Sequence, residues 1–203
     1  LIGPELFVSD ESAIEGMAVD IVMVIDVSGS TSQNFGGSPV GDVNNDGSVD
    51  DILDAELAGF IALNDEFIAN NVDARIGIVV FAGTGAQVDM DATQAGMQLA
   101  ANPTTDLDGN GVPDVEDILR TIVRGFNGTS QNGTNYEDAL INTLNTFTSF
   151  NTPPGGGTMI FLSDGNPTQG GPHNDDAQAL RALGINLRAF GVGNVPLSEL
   201  QII

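Results

Sequence analysis

The sequence predicts an α/β protein with a doubly wound, mostly parallel sheet and helices on both faces. Three segments consist almost entirely of apolar, often β-branched residues: VDIVMVIDV (19–27), RIGIVVFA (75–82) and TMIFLS (158–163). Such runs are typical of strands that are buried on both faces of a parallel sheet. Segments with apolar residues at helical spacing lie between them. Because strands alternate with helices along 203 residues, we expect one domain of this class.

The individual elements follow from the same patterns. Residues 1–18 have no clear period and are interpreted as a lead-in segment, so the domain is placed at 19–203. The apolar runs predict strands at Val19–Val27, Arg75–Ala82, Gln87–Met90, Thr158–Ser163 and Asn186–Val192. Helical spacing predicts helices at Val49–Asn70, 91–100, 114–125, Asn135–Thr146 and Asp175–Leu183. Ligands of doubly wound sheets bind beyond the carboxyl ends of the strands, where functional residues are therefore expected.

The composition excludes several classes of function. The chain has no lysine and a formal net charge of −23, so it lacks the clustered basic residues that contact nucleic-acid phosphates or anionic lipid headgroups. It has no cysteine, which excludes disulfides, thiolate metal sites and a cysteine nucleophile. Its apolar runs are far shorter than the roughly 20 residues that span a bilayer, so we expect no membrane insertion.

Many of the acidic residues fall into two short runs with regular spacing. The run DLDGNGVPDVED (106–117) fits the template of a 12-residue calcium loop, in which oxygen ligands come from positions 1, 3, 5, 7, 9 and 12 and a glycine lies at position 6. The predicted ligands are Asp106, Asp108, Asn110, the Val112 carbonyl, Asp114 and Asp117. The sequence therefore predicts Ca²⁺ here. An Asx-rich turn leading into a helix without metal is the alternative.

The run DVNNDGSVDDILD (42–54) fits the same template less completely. The predicted calcium ligands are Asp42, Asn44, Asp46, the Ser48 carbonyl and Asp50. Position 12 is Leu53, so Asp51 or Asp54 would have to replace the last ligand. A helical pattern follows each run and none precedes it, as in the half EF-hands of dockerin modules and thrombospondin-type repeats, which both runs resemble.

A third set of oxygen-bearing side chains follows predicted strands. The turn DVSGS places Asp26, Ser28 and Ser30 directly after the first strand, and LSDG places Asp164 after another. Thr134 precedes a predicted helix. Carboxylates and hydroxyls from three loops suit Mg²⁺ or Mn²⁺. Taken singly, the same residues are also explained as helix caps and as an Asp-Gly turn.

Together these motifs resemble the metal-ion-dependent adhesion site of the von Willebrand factor A domain family. The turn Asp26, Ser28, Ser30 matches the family's Asp-x-Ser-x-Ser element, Thr134 in GTNYEDAL matches its threonine, and Asp164 in FLSDG matches its second aspartate. The resemblance extends from Val19 to the GVG at 191–193. It implies a von Willebrand factor A fold and Mg²⁺ or Mn²⁺, with Ca²⁺ as an alternative. It also implies an open coordination position that is completed by an acidic group of a protein or glycan ligand.

The chain departs from the family pattern in two places. About twenty extra residues, 31–50, separate Ser30 from the first helix and contain the first acidic run, and the expected last strand and helix after 191–193 are missing or unusual. The strand order implied by the resemblance puts the first acidic loop at the edge that carries the adhesion site. It puts the second loop at the opposite end.

Three functional classes remain open. The leading interpretation is an extracellular, metal-dependent binding module of a longer surface protein, because the acidic, lysine-free, calcium-type composition resembles that of repeats-in-toxin (RTX) adhesins of bacteria. Neighbouring domains of such a chain would be further partners. The alternatives are a calcium-stiffened spacer and a cytosolic partner of a chelatase or ATPase. We expect no enzymatic activity, because the single histidine, His173, lies in a Gly/Pro-rich loop where it is expected to be solvated.

Overall fold

The protein folds around one five-stranded sheet. The computed structural model describes residues 19–193 and 200–203, so the predicted lead-in segment lies outside the described residues. The strands are β1 (Val19–Asp26), β2 (Ala74–Phe81), β3 (Gly85–Gln87), β4 (Gly157–Ser163) and β5 (Asn186–Gly191), in the spatial order β3-β2-β1-β4-β5. Strands β1, β2, β4 and β5 are parallel, and the short β3 pairs antiparallel with β2. The predicted mostly parallel sheet is confirmed.

Helices cover both faces of the sheet. They are α1 (Ile52–Ala69), α2 (Asp114–Leu119), α3 (Tyr136–Phe150) and α4 (Asn174–Ala182). Alternate residues of β1 point to opposite faces, which produces two cores. Ile21, Met23 and Ile25 belong to the core that includes residues of α1 and α2, whereas Val22 and Val24 belong to the core that includes residues of α3 and α4.

Two predicted helices differ from the structure. Residues 91–100 form turns and extended chain, because Gly96 has a φ of +90° and the Asp91 carboxylate accepts hydrogen bonds from the Thr93 backbone and the Gln94 side chain. These local bonds compete with helix formation. The predicted 114–125 helix ends at Leu119, and Gly125 beyond it adopts a left-handed conformation.

The other boundaries shift by a few residues. Helix α1 begins at Ile52 rather than Val49, since Asp50 has a φ of +58° and Asp51 is the N-cap. Helix α3 continues to Phe150, four residues beyond the predicted end. Strand β3 occupies 85–87 rather than 87–90. Within the described residues, no helix combines the length and apolar character needed to cross a membrane.

Candidate metal centre

Asp26 is the last residue of β1, the central strand of the sheet. It is paired in register with Phe81, the last residue of β2, and its side chain is fully buried. The Ser163 hydroxyl, at the end of β4, donates a 2.7 Å hydrogen bond to Asp26 Oδ2. The carboxyl ends of three adjacent strands therefore meet at this carboxylate.

Hydrogen bonds connect the predicted adhesion-site residues in series. The Ser28 backbone N–H donates to Asp26 Oδ1 at 2.9 Å, and the hydroxyls of Ser28 and Ser30 are 2.9 Å apart. The Ser30 hydroxyl then donates to Asp164 Oδ1 at 2.9 Å, across 134 positions of the sequence. The structure thus brings four of the five predicted ligands into contact.

Thr134 reaches the same edge of the sheet through its backbone. The next residue, Asn135, donates its N–H to the carbonyl of Ala82, which directly follows β2. The Thr134 N–H donates to Thr168 Oγ1 at 2.9 Å, and the Thr168 N–H donates back to the Thr134 carbonyl at 2.8 Å. These bonds join the Thr134 segment to the loop that follows Asp164.

The two carboxyl groups of this site, Asp26 and Asp164, have raised pKa values. Burial raises the pKa of Asp26 from 3.8 to about 6, although hydrogen bonds from Ser28 and Ser163 act in the opposite direction and the charge of Asp164 adds to the increase. Burial also raises the pKa of Asp164, against the hydrogen bond from Ser30. Among the described residues, no positive charge is a cause that lowers the pKa of either group.

Glu56, which the sequence analysis did not single out, lies next to the site. It is fully buried on α1, and its Oε2 accepts a 3.2 Å hydrogen bond from the Asp26 backbone N–H. Its Oε1 is buried and has no hydrogen-bond partner within the described part of the chain. Burial, together with the charges of Asp26 and Asp164, holds the pKa of Glu56 well above its usual value. The sequence does contain a pattern that indicates a buried Glu56, because this carboxylate lies on the apolar face of α1, between Leu53 and Phe60.

Tyr136 and His173 pack beneath the loop that carries Asp164. The Tyr136 hydroxyl donates to the Gly165 carbonyl and lies 3.1 Å from Ser163 Oγ, and both side chains are buried. The His173 ring packs edge-on against Tyr136, with ring centroids 5.4 Å apart. The prediction of a solvated His173 is wrong, because the start of α4 places it in the core beside this ring.

The donor set fits a hard divalent ion. Two carboxylates and three hydroxyl-bearing residues are gathered at one edge of the sheet, and such oxygen ligands suit Mg²⁺, Mn²⁺ or Ca²⁺. Within the described residues, no group of three or more His, Cys, Asp or Glu side chains is arranged to hold a metal. The aspartates of the second acidic loop do not form such a group either. An ion at Asp26 would therefore rely on the serine and threonine hydroxyls.

The two acidic loops have the same internal hydrogen bonds. In the second loop, Asp106 at position 1 accepts from the backbone N–H groups of Asn110 and Gly111, at positions 5 and 6. Asp108 accepts from the N–H of Asn110, and Asn110 accepts from that of Val112. In the first loop, the equivalent bonds join Asp42 to Asp46 and Gly47, Asn44 to Asp46, and Asp46 to Ser48.

The backbones of the loops match as well. Position 4 has positive φ in both, at Asn45 (+57°) and Gly109 (+72°), and so has the glycine at position 6, Gly47 (+90°) and Gly111 (+88°). The two runs therefore share these backbone features at positions 4 and 6, while calcium in either loop stays a prediction.

The loops differ at positions 9 and 12. In the second loop, Asp114 Oδ1 accepts from the Leu107 N–H, whereas its buried Oδ2 has no hydrogen-bond partner among the described residues. Asp117 at position 12 accepts from the Asn110 side chain at 2.6 Å. In the first loop, Asp50 accepts from the N–H groups of Val40 and Gly41, outside the loop, and Leu53 at position 12 is fully buried.

The loops lie at different ends of the sheet, as expected. The insert that contains the first loop returns to the adhesion-site turn, where the Ile52 N–H donates to the Gln33 carbonyl at 2.9 Å. The chain before the second loop pairs at Ala101 with Ile76, near the start of β2, and Pro103 accepts from the Asn64 side chain late in α1. The second loop therefore adjoins the amino ends of the strands.

The guanidinium of Arg124, in the segment after α2, contacts the first loop. Arg124 Nη2 lies 2.8 Å from Asp46 Oδ2 and 3.2 Å from Ser48 Oγ, and its Nη1 lies 2.6 Å from Asp51 Oδ2. Nothing in the sequence pattern pointed to this arginine, because it is separated from the loop by more than 70 residues.

Comparison with known proteins identifies the fold. No protein-family model matches the chain, and no curated protein matches it significantly. Proximal thread matrix protein 1 of the mussel byssus is 19% identical, with a TM-score of 0.59 over 92% of this chain and 41% of that one. Another structure of that protein has a zinc-occupied metal-ion-dependent adhesion site.

Two bacterial proteins have the same architecture. The PilB minor pilin of Streptococcus sanguinis is 14% identical, with a TM-score of 0.58 over 93% of this chain and 54% of that one. A von Willebrand factor type A protein of Catenulispora acidiphila is 16% identical, with a TM-score of 0.54 over 91% of this chain and 36% of that one. The chain thus spans between about a third and about half of these proteins. Its fold is that of von Willebrand factor A domains.

Proposed function

We propose that this chain, with its von Willebrand factor A fold, is a metal-dependent adhesion module rather than an enzyme. One observation carries the proposal: the hydrogen-bonded series from Asp26 through Ser28 and Ser30 to Asp164, at the carboxyl edge of the sheet. It assembles oxygen ligands from separate loops at the place where ligands of such sheets bind.

The proposed ligands of the adhesion metal are Asp26, Ser28, Ser30, Thr134 and Asp164, and the proposed ion is Mg²⁺ or Mn²⁺, with Ca²⁺ as the alternative. A bound divalent ion would supply positive charge and a coordination position for an acidic group of a protein or glycan partner. Asp26 attaches the site to the central strand. The Ser163 hydroxyl binds the carboxylate of Asp26 and Glu56 accepts from its backbone N–H, and both bonds hold this aspartate in place.

We place the module at a cell surface, next to other domains of a longer chain. Similarity to a byssus thread protein and a pilin supports this setting. The net charge of −23 argues against nucleic acid as a partner. The narrower resemblance to repeats-in-toxin adhesins stays a prediction.

We also propose Ca²⁺ in the second acidic loop. Its ligands are Asp106, Asp108, Asn110, the Val112 carbonyl, Asp114 and Asp117. The buried Oδ2 of Asp114, which has no hydrogen-bond partner among the described residues, supports this assignment, because such an oxygen is costly to leave without a proton donor or a cation. Calcium at the first loop, which the sequence also predicts, is not part of this proposal, because Arg124 contacts the carboxylates of Asp46 and Asp51 there.

Relaxation of water protons by bound Mn²⁺ tests the proposed adhesion site. Mn²⁺ in a site with an open, water-filled position should enhance the relaxation rate, and acetate, as a minimal carboxylate ligand, should reduce the enhancement by displacing that water. The Asp26→Asn variant removes the buried negative charge and should bind Mn²⁺ at least tenfold more weakly. Asp175→Asn, an exposed carboxylate in the first turn of α4, is the matched control and should bind Mn²⁺ like the wild type.

Equal Mn²⁺ affinities of the Asp26→Asn and Asp175→Asn variants would show that the metal lies elsewhere. Mn²⁺ binding at Asp26 without any response to acetate would mean a closed, structural ion, which is the property of a spacer rather than of an adhesion module.

A further inference from the structure

The first acidic loop already contains a cation that belongs to the protein. Its carboxylate at position 5, Asp46, faces Arg124 Nη2 at 2.8 Å, and Ser48 Oγ at position 7 lies 3.2 Å from the same nitrogen. Arg124 Nη1 binds Asp51 at 2.6 Å. Only 18% of the arginine side chain is exposed, so these ion pairs are shielded from water and screened less than surface pairs.

The loop is also short of oxygen ligands for an external ion. Ca²⁺ takes six to eight oxygens. Position 12 is the buried Leu53, and the Asp50 carboxylate at position 9 binds the backbone of Val40 and Gly41 instead of the loop interior. The second loop, which shares the positive φ at positions 4 and 6, has aspartates at both positions, and none of the ion pairs formed by the described residues involves its carboxylates at positions 1, 3, 9 or 12.

We infer that the guanidinium of Arg124 is the cation of the first acidic loop and takes the place that Ca²⁺ has in loops of this conformation. The two nitrogens engage two carboxylates through charge-assisted hydrogen bonds, which are stronger than neutral ones. The first loop therefore needs no calcium to balance its carboxylates, whereas the second, for which Ca²⁺ is proposed above, has no arginine in this place among the described residues.

The same arginine connects the insert to the adhesion site. The Arg124 carbonyl accepts a 2.9 Å hydrogen bond from the Gln131 side chain, and the Gln131 carbonyl accepts from the Gly29 N–H at 3.0 Å, inside the Asp26–Ser30 turn. The adjacent Gly125 N–H donates to the Val27 carbonyl at 3.0 Å. Arg124 thus holds the insert against the turn that carries three of the proposed metal ligands.

Counting bound calcium tests the inference. Equilibrium dialysis with radioactive Ca²⁺, in excess Mg²⁺, should give the same number of bound ions for the wild type and for Asp46→Asn. Arg124→Gln releases Asp46 and Asp51 and should bind one additional Ca²⁺, more weakly than the second loop does because Leu53 at position 12 supplies no ligand. This additional ion should be lost again in the double variant Arg124→Gln, Asp46→Asn. Arg124→Lys, which keeps a cation, should not gain the ion.

Arg120→Gln is the matched control. It makes the same change of net charge four residues away, where Arg120 pairs with Glu116 and does not contact the first loop. Its calcium count should equal that of the wild type. A wild-type protein that loses one Ca²⁺ on Asp46→Asn substitution would overturn the inference, as would equal gains in Arg120→Gln and Arg124→Gln. The Asp46→Asn comparison needs no arginine variant, so the test holds even where Arg124→Gln fails to fold.

These measurements are independent of the proposed adhesion function. They report on the first loop alone, whereas failure of that function would appear as unchanged Mn²⁺ binding in Asp26→Asn.

Discussion

At the scale of single residues, Asp26 combines two properties that favour different charge states. Burial disfavours its ionised form, while the hydrogen bonds from Ser28 and Ser163 favour it, and burial is the larger effect. Glu56 behind it adds a second buried carboxyl group. The metal-free site is therefore destabilising at neutral pH, and a divalent ion would remove that cost.

The pH dependence of stability should reveal this cost. Because folding raises the pKa of Asp26 from 3.8 to about 6, the folded state holds the proton more tightly, and the resulting stability is present below pH 3.8 and lost as the pH rises through 6. The loss amounts to about 3 kcal/mol at 1.36 kcal/mol per pKa unit. Urea unfolding of metal-free protein between pH 4 and pH 7 measures it.

The Asp26→Asn variant supplies the control, since it cannot ionise at this position. The stability difference between wild type and variant should change in favour of the variant by about 2 kcal/mol between pH 4 and pH 7, because part of the total is already lost at pH 4. Parallel curves over this range would contradict the assignment of the raised pKa to Asp26.

At the scale of elements, the start of α1 joins the insert to the core. Asp51 accepts from the Asp54 N–H and Asp54 accepts from the Asp51 N–H, which forms a capping box, and Asp54 also accepts from the buried Val43 N–H at 2.8 Å. The first acidic run therefore has two roles. Its beginning forms the loop, and its end, at Asp51 and Asp54, caps α1 and binds the backbone of the insert.

Replacing Asp54 by alanine should destabilise the fold. The variant keeps the Asp51 cap but loses the return bond of the capping box, and it removes the acceptor of both the Asp51 and Val43 N–H groups, which together costs about 2 kcal/mol. Glu66→Ala, at the opposite end of the same helix, removes an exposed carboxylate from the unfavourable end of the helix dipole and should change the stability little. Thermal unfolding in the presence of Mg²⁺ and Ca²⁺ compares the two, and equal losses would contradict the role of the cap.

The elements also show what the sequence could and could not predict. Two features were predictable from the sequence. Apolar runs mark the buried parallel strands. Because such strands bring their carboxyl ends together, the sequence also predicts the proximity of Asp26, Ser28, Ser30 and Asp164. The segment 91–100 was not predictable, since Asp91 side-chain bonds and Gly96 outweigh a weak helical period. Arg124 was not predictable either, because contacts between distant segments leave no local pattern.

At the scale of the whole molecule, negative charge is concentrated in places that need cations. The net charge is −23, and the few arginines are used at specific points: Arg75, for example, forms a two-bond ion pair with the buried Asp20. Clustered carboxylates in the second loop repel each other when no cation is present. Calcium should therefore contribute to global stability.

Removing calcium with EGTA, with Mg²⁺ retained, should lower the Tm of the wild type by about 5–10 °C, the equivalent of about 2.7 kcal/mol from an ion at a hundred times its Kd. Asp117→Asn, at position 12 of the second loop, should largely remove this dependence, whereas Asp175→Asn should keep it. An EGTA effect of the same size in Asp117→Asn would place the stabilising calcium outside the second loop.

The position of Asp26 on the central strand has a consequence for local opening. Strand β1 is hydrogen-bonded to β2 on one side and β4 on the other, so we expect its amides to exchange with solvent near the free energy of global unfolding. Thr134 and Asp164 lie on loops, which open at a much lower free energy. We therefore expect the site to admit or release an ion through local opening of these loops, while its first ligand, Asp26, stays in a strand that is paired on both sides.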